Sequence, residues 1–333
     1  MDKFKSNVRL WYWFILLFFA LVAGLSMLIS VVSGAISIPI SDVWSVLTSS
    51  HSGSPSQDII WNIRFPRTIV AALVGMNLAL SGALLQGSMR NSMADPYIMG
   101  VSSGAGLFGM MILIVFPSYG YLLTPVAFVG GMVAALLVYL LAWRNGVNPM
   151  RVMLVGVAVS AFLSSGISGL LTFYSDRVES ALTFMVGGLS TRSWPHIEML
   201  LPYTVIGLIL AFIGSQRMNI LMLGDSEAKS LGLRVEAYRL YFTAIAALLA
   251  ASAVSVVGLL GFVGLIVPHI ARLLVGSDYR ILLPVSALLG ITVLTLSDTL
   301  ARIIFAPIEL PVGIVMGMLG APFFVYLIRR KGV

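Results

Sequence analysis

The chain has 333 residues, 59% of them hydrophobic and 10% charged, with a mean hydropathy of +1.01; soluble domains carry about 25% charged residues, so water is excluded as the main solvent. The net charge of +7 comes without any basic stretch interleaved with exposed aromatics, which gives no support to a nucleic-acid partner. With no Cys and three scattered histidines (His51, His196 and His269), disulfides and thiolate metal centres are ruled out and no metal site is expected.

A membrane helix needs about 20 mostly apolar residues, and the length suits one integral domain over residues 1–333 with about eight to eleven spans. The 32 Gly and 14 Pro fit this solvent. In a membrane, small residues let helices approach closely, and carbonyls freed by Pro find other partners. Helices are therefore expected rather than a barrel. The first apolar run, 10–33, follows a basic start (Lys3, Lys5, Arg9) that resembles a secretory signal. It is too long for one and lacks a small-x-small cleavage site, so it reads as a retained first span. Pro66, a good first helical residue, opens the next, 66–88. Further spans are predicted at 94–115, 122–142, 152–172, 196–214, 238–257, 262–275, 282–298 and 310–328, ten in all. With the N-terminus inside, 15 of the 20 basic residues fall on the cytoplasmic side, leaving Arg64, Arg67, Arg177, Arg192 and Arg302 outside. The positive-inside rule thus puts both termini in the cytoplasm.

Span centres hold almost no ionisable groups; Asp298 and Glu309 fall near outer ends and Asp95 near an inner end. Ion-coupled transporters place such groups inside spans as relays, so the energy source is expected outside this chain. The run Gly224 to Ser230 ends in Lys-Ser but has Ala228 where a phosphate loop needs Gly, so ATP would be bound by a separate subunit. A membrane-embedded enzyme is disfavoured by the absence of Cys, of a His pair at helical spacing and of an intramembrane carboxylate pair.

The loop 218–239 is the longest charged segment, yet it keeps Leu221, Leu223, Ala228, Leu231 and Leu233. It predicts a pair of short amphipathic helices, one of them capped by Asp225 or Ser226, with Glu227 in its first turn and Gly232 at its end. Its apolar side needs a groove or a membrane surface. Gly156, Ser160, Ser164 and Ser168 recur every fourth residue and share one helix face, which either packs a neighbour or faces a watery path. Gly313 and Gly317 form a small-xxx-small pair. Arg64 and Arg67 flank Pro66, where cations oppose the helix dipole at about 0.3–1 kcal/mol each. They face a partner, snorkel to lipid phosphates, or pair with Asp58, Asp298 or Glu309.

The pattern Glu227-Ala228-x-x-x-Gly232 resembles the coupling segment of the FecCD family, the permeases of ferric-siderophore, haem and cobalamin ABC importers. Further stretches carry the same resemblance: Arg64-Phe-Pro-Arg67, Ser81-Gly-Ala-Leu-Leu-Gln86, Asn91-Ser-Met-Ala-Asp-Pro96, Gly100-Val-Ser-Ser-Gly-Ala105, Gly261 to Arg272, Glu309-Leu-Pro-Val-Gly313 and Gly320-Ala-Pro322. They run from about residue 60 to the end, with Ser92 where Pro is common and Met93 where Leu is common. The resemblance implies an all-α, type II ABC importer permease of about ten transmembrane helices in a prokaryotic cytoplasmic (inner) membrane. It implies transport of an iron chelate, a ferric siderophore, with haem or cobalamin as alternatives. No cofactor is expected in this chain; ATP and Mg belong to a partner ATPase pair, alongside a second permease copy, identical or related, an extracytoplasmic binding protein and lipid.

By the same resemblance, residues 218–234 form the ATPase-coupling segment, through Leu223, Gly224, Asp225, Glu227, Ala228, Leu231 and Gly232. Arg64, Arg67 and Arg302 would dock the binding protein. Gly156, Ser160, Ser164 and Ser168 would line the pathway, and Asn91, Met93, Pro149 and Met150 the cytoplasmic gate.

Overall fold

The computed structural model describes residues 2–34, 43, 46, 55–97, 99–144 and 146–331; His51 lies outside them. The helices are α1 (Asp2–Val32), α2 (Pro55–Ile59), α3 (Phe65–Ser88), α4 (Val101–Met110), α5 (Leu123–Ala142), α6 (Pro149–Phe173), α7 (Val178–Val186), α8 (Trp194–Met222), α9 (Asp225–Ser230), α10 (Val235–Val257), α11 (Val263–Val275), α12 (Tyr279–Ile303) and α13 (Val312–Lys331). A π-helical turn, Ile60–Arg64, leads from α2 into α3, and another, Met111–Val115, extends α4. Among the described residues the only bridge of β type is an isolated one between Trp143 and Val147.

Among the described residues seven helices are long and apolar enough to cross a membrane, and three shorter apolar ones, Val101–Val115, Val263–Val275 and Val312–Tyr326, fall within the other three predicted spans. The fourth-decade boundary differs from expectation. Helix α4 begins at Val101 rather than at 94, because the chain turns through 91–100 and reaches the helix with Gly100 at φ 78°. Helix α8 runs eight residues beyond the expected 214, since Ile220, Leu221 and Met222 continue its apolar face past Arg217. Helix α7 was not expected; at nine residues, close behind Asp176 and Arg177, it is too short to show as a span.

Helix α3 stands in the centre, packed on α8, α10, α11 and α12. Glycines make that possible. A Cβ on Gly75 would meet the carbonyl of Gly290 in α12, and one on Gly290 would meet the carbonyl of Gly75. Gly82 lies in the same way against the carbonyl of Gly264 in α11. Such backbone contact raises dispersion attraction, which drives helix association where lipid removes the hydrophobic incentive. Polar groups join the seams. Asn77 Nδ2 donates to Thr204 Oγ1 (2.9 Å) and Ser252 Oγ (3.3 Å), linking α3 to α8 and α10, and Ser81 Oγ donates to the Ala246 carbonyl (2.6 Å).

A knot of irregular backbone joins α7, the 258–262 segment and the start of α13. Gly187, Gly258 and Phe262 have φ of 81°, 85° and 68°. Non-helical backbone at membrane depth must find protein partners, and here it does: Gly188 N donates to Val257 O (2.9 Å), Leu259 N to Phe184 O (2.9 Å) and Gly313 N to Gly187 O (3.1 Å). Gly313 therefore packs, its Cβ position blocked by the Val186 carbonyl, whereas Gly317, the other member of the small-xxx-small pair, has nothing within 4 Å of its Cβ position inside the chain.

The two positions give a matched test. Gly82→Leu should lower the unfolding midpoint in detergent by the equivalent of about 1–3 kcal/mol or more of overpacking. Gly317→Ala should leave it unchanged or raise it slightly, because Ala is the better helix former. Equal midpoints in a thermal melt would show that α3 and α11 can part without cost.

Candidate functional site

Helix α3, about 36 Å long from its 24 residues, separates two polar ends of the bundle. One carries Arg67 and the other runs through Ser88 to Arg90, beside α9.

At the α9 end, Gly224 enters the short helix at φ 131°. The helix closes in a Schellman motif: Leu233 N donates to Ala228 O and Gly232 N to Lys229 O, both at 2.9 Å, with Gly232 at φ 80°. Ala228 and Leu233 are buried beneath it, while Leu223 and Leu231 are 61% and 62% exposed. One apolar side thus seals against the bundle and the other stays open. Glu227, exposed, accepts from Ser226 Oγ (2.8 Å), which holds its carboxyl below the usual range.

Asp225 joins this helix to the bundle. It accepts from Arg90 Nη2 (3.0 Å) and from Arg239 Nη2 (2.9 and 3.2 Å). Arg239 is fully buried, a costly place for a cation unless its donors are used. It also donates to the carbonyls of Ser88 (3.2 Å) and Val147 (2.8 Å). Glu236 Oε2 accepts from Val147 N (2.8 Å), so Val147 is held at both its backbone groups. The next residue, Asn148, caps α6 by accepting from Met150 N (2.9 Å). Asn91 makes a similar turn, accepting from Met93 N (2.8 Å), and its Nδ2 reaches Met153 Sδ (3.1 Å). Together these loops line a cleft of about 800 Å³ that also carries Arg144 and Arg151.

Asn91, Pro149 and Met150 therefore meet, as the gate reading required, but Met93 does not join them. It lines a second cleft of about 660 Å³ with Asp95, Leu259, Phe262 and Gly317, because the turn at Asn91 sends it to the other side of the loop. The helix stripe also divides. Gly156 is buried and Ser160 half-buried near Gly100, whereas Ser164 and Ser168 are exposed, with Ser168 Oγ bonded to its own helix at Ser164 O (3.1 Å). A uniform pathway face along α6 is thus corrected to a packed half and an open half. Elsewhere on α6 and on α13, Phe162 and Met318 are 77% and 71% exposed.

At the opposite end Arg67 takes the pairing with Asp298 and Glu309 that was the alternative to docking, and the three arginines are buried. Arg64, Arg67 and Arg302 are only 6%, 5% and 4% exposed. Arg67 forms a two-pronged pair with Asp298 (2.9 and 3.0 Å) and reaches Glu309 Oε2 (2.7 Å). Arg302 Nε lies 3.3 Å from Asp298 Oδ2, and its other nitrogens donate to the carbonyls of Ser30 (2.9 Å) and Ser33 (3.1 Å). Arg64 Nη1 donates to Val31 O (2.8 Å) and Val32 O (2.7 Å). The last carbonyls of a helix have no partners of their own and favour cations. α1 has no basic residue in its last turn, so Arg64 and Arg302 supply that charge from other helices. The cost of Arg64 and Arg67 at the start of α3 is offset by groups inside the chain.

A third polar tie, at the α9 end, starts α12. Asp278 accepts from Asn219 Nδ2 (2.7 Å), Arg280 N (3.0 Å) and the Arg280 guanidinium (2.6 Å), and these bonds, the Arg280 side chain foremost, pull its carboxyl down to about 2. Arg90, Arg239, Glu236 and Asp278 were missed as site residues. Arg239 alone left a trace in the sequence, a cation one turn inside an apolar helix.

Seven membrane-length apolar helices and three shorter ones among the described residues, around clefts walled by loops, fit a multi-pass membrane transport protein. The model of the FecCD transport family matches residues 8–330, and the chain belongs to that family. It is 39% identical to the Fe(3+)-citrate import system permease protein YfmD of Bacillus subtilis over 98% of this chain and 97% of that one. It is 41% identical to the cobalamin import system permease protein BtuC of Halobacterium salinarum, over 87% of this chain and 80% of that one. A solved metal-chelate type ABC transporter in an inward-facing conformation superposes with a TM-score of 0.83 at 29% identity, covering 96% of this chain and 99% of that one.

Arg67→Ala should leave the Asp298 carboxylate buried with a poorer partner set and destabilise the fold by about 3–5 kcal/mol, read as a lowered unfolding midpoint in detergent; a wild-type midpoint would mean the pair is dispensable. Asp278 gives a pH test. Its folded value is depressed, so its stabilisation is complete above about pH 4, where the unfolded chain's Asp ionises, and is lost as pH falls towards about 2. Asp278→Asn should flatten the fall of the melting midpoint across that acid window.

Proposed function

We propose that this chain is the channel-forming subunit of an ABC importer that carries a ferric siderophore or similar iron chelate across a prokaryotic cytoplasmic membrane, driven by a separate ATPase pair. The observation that carries the mechanism is the position of Asp225, on the helix with the open apolar side and bonded to both cations that hold the gate loops.

The α9 end is assigned to the cytoplasm, where the positive-inside rule places the cations gathered there, among them Arg90, Arg144, Arg151, Arg217, Lys229, Arg234 and Arg280; both termini then lie inside. Leu223 and Leu231 offer apolar area to a groove on the ATPase, with Glu227 and Lys229 at the rim. When that groove moves, α9 moves as a rigid piece. Through Asp225 it draws on Arg90, next to Asn91, and on Arg239, which holds Val147 ahead of Pro149 and Met150. The two loops bounding the 800 Å³ cleft thus shift together, and access alternates between the membrane faces.

A second permease copy covers the exposed faces of α6 and α13, and the two copies enclose the path. An extracytoplasmic binding protein delivers the substrate to the end opposite α9. The cleft walls hold Arg90, Arg144 and Arg151 against Asp225 and Glu236, and both acids are already engaged by the protein, which favours an anionic chelate. The citrate-type relative agrees with such a substrate. The cobalamin relative keeps a corrinoid, and more distantly haem, as the alternative.

Asp225→Asn should keep the ATPase bound and hydrolysing while iron-chelate uptake into proteoliposomes falls about tenfold, the loss expected when a charge-assisted tie of about 1.5 kcal/mol is removed. Uptake per ATP equal to wild type would overturn the lever. Purification of the chain without any ATPase, together with uptake driven by an ion gradient, would overturn the importer itself.

A further inference from the structure

Between the last turns of α8 and the first turns of α10 lies a groove of about 470 Å³, away from both clefts described above. Its lining is graded. Arg217 stands five residues before the end of α8 and Ile213 nine, about 7.5 and 13.5 Å along the axis. Across from them, Arg234 precedes α10, and Tyr238 and Tyr241 fall in its first two turns. The cations therefore sit at the rim and the apolar residues deeper.

Gly214 forms the floor. A Cβ there would meet the rings of Phe242 and, at 3.0 Å, Tyr241. Tyr241 is pinned as well, its hydroxyl donating to the Leu210 carbonyl at 2.7 Å, so the groove has fixed walls.

The charge is unbalanced. No acid lines the groove, and neither Arg217 nor Arg234 forms an ion pair among the described residues. At the same end of the bundle Arg90, Arg239 and Arg280 all face carboxylates. Two unneutralised guanidiniums above an aromatic and aliphatic floor, at the depth where tyrosines favour a membrane interface, match the charge and the polarity gradient of an anionic lipid. Arginine suits phosphate in particular, because its planar fork can donate two parallel bonds.

We infer that this groove binds an anionic phospholipid of the cytoplasmic leaflet, its phosphate between Arg217 and Arg234 and an acyl chain over Gly214 and Ile213. The leaflet rests on the assignment of the α9 end to the cytoplasm, whose inner surface is rich in anionic lipid. The bound lipid bridges α8 and α10, the two helices that flank α9, and so stiffens the support from which the coupling helix moves.

The full chain, purified in a neutral detergent, is titrated with phosphatidylglycerol, phosphatidylcholine or inorganic phosphate, and binding is read by native mass spectrometry and by thermal shift. Phosphatidylglycerol should bind and raise the melting midpoint, phosphatidylcholine should do so weakly, and phosphate alone should not. The double variant Arg217→Gln/Arg234→Gln should bind phosphatidylglycerol about tenfold or more weakly, and Arg217→Lys/Arg234→Lys should recover part of the preference. Equal binding of the two lipids, or unchanged binding by the Gln variant at a wild-type melting midpoint, would overturn the site. An equal shift with phosphate alone would make it a free-anion site. Loss of ATPase co-purification in the Gln variant with unchanged lipid binding would make the groove a protein contact. Both lipid-binding readouts, native mass spectrometry and thermal shift, use the permease without its ATPase and without a sided membrane, so failure here leaves the importer function standing, and failure of uptake leaves the lipid site standing.

Discussion

Backbone contact between α3 and its neighbours underlies the rest of this structure. Gly75 against Gly290 and Gly82 against Gly264 bring three helices to a separation that any side chain would forbid. Lipid is as apolar as leucine, so a helix gains little by leaving it unless contact with protein is closer than contact with lipid. Once α3 is enclosed, its polar residues find fixed partners on α8, α10 and α11. Its two ends then become reference points for everything polar at either end of the bundle.

Those ends are built differently. At one, Arg64, Arg67 and Arg302 are consumed by Asp298, Glu309 and the closing carbonyls of α1, and the three arginines and Asp298 are buried while Glu309 opens to solvent. At the other, Asp225 is only partly covered and lies on a short helix held by few contacts, with its apolar outer side open. A buried, fully satisfied network resists change, because breaking it strands a charge. A partly exposed pair such as Asp225 with Arg90 costs less to rearrange. The α9 end combines both kinds of tie, since Asp225 also holds the fully buried Arg239.

Much of this was legible before any coordinate. Ten spans, the amphipathic loop and the role of Gly232 as its stop follow from hydropathy, periodicity and the need of a left-handed residue at a helix end. The arginines were legible only as alternatives: pairing of Arg67 with Asp298 or Glu309 stood beside docking and lipid contact, with nothing local to choose among them. Arg64, Arg67 and Arg302 are separated by up to 238 positions in sequence, and their neighbours Ser30, Val31 and Asp298 come from other helices. A cation that opposes one helix dipole can serve the end of another, and only packing says which helix ends beside it. Met93 and Gly317 show the same limit on a smaller scale: one turn of loop or one helix face decides which cleft a residue lines.

The sequence by itself determined the solvent of this protein, the number and kind of its spans, the absence of thiol chemistry and the helix that stands out from the membrane domain, since each depends on composition or on neighbours within a turn or two. Tertiary structure alone decided which charges are spent inside the chain and which remain available. Pairing of Asp225 with Arg90, or of Arg67 with Asp298, needs groups from distant helices within about 3 Å. Local pattern carries no record of such distances.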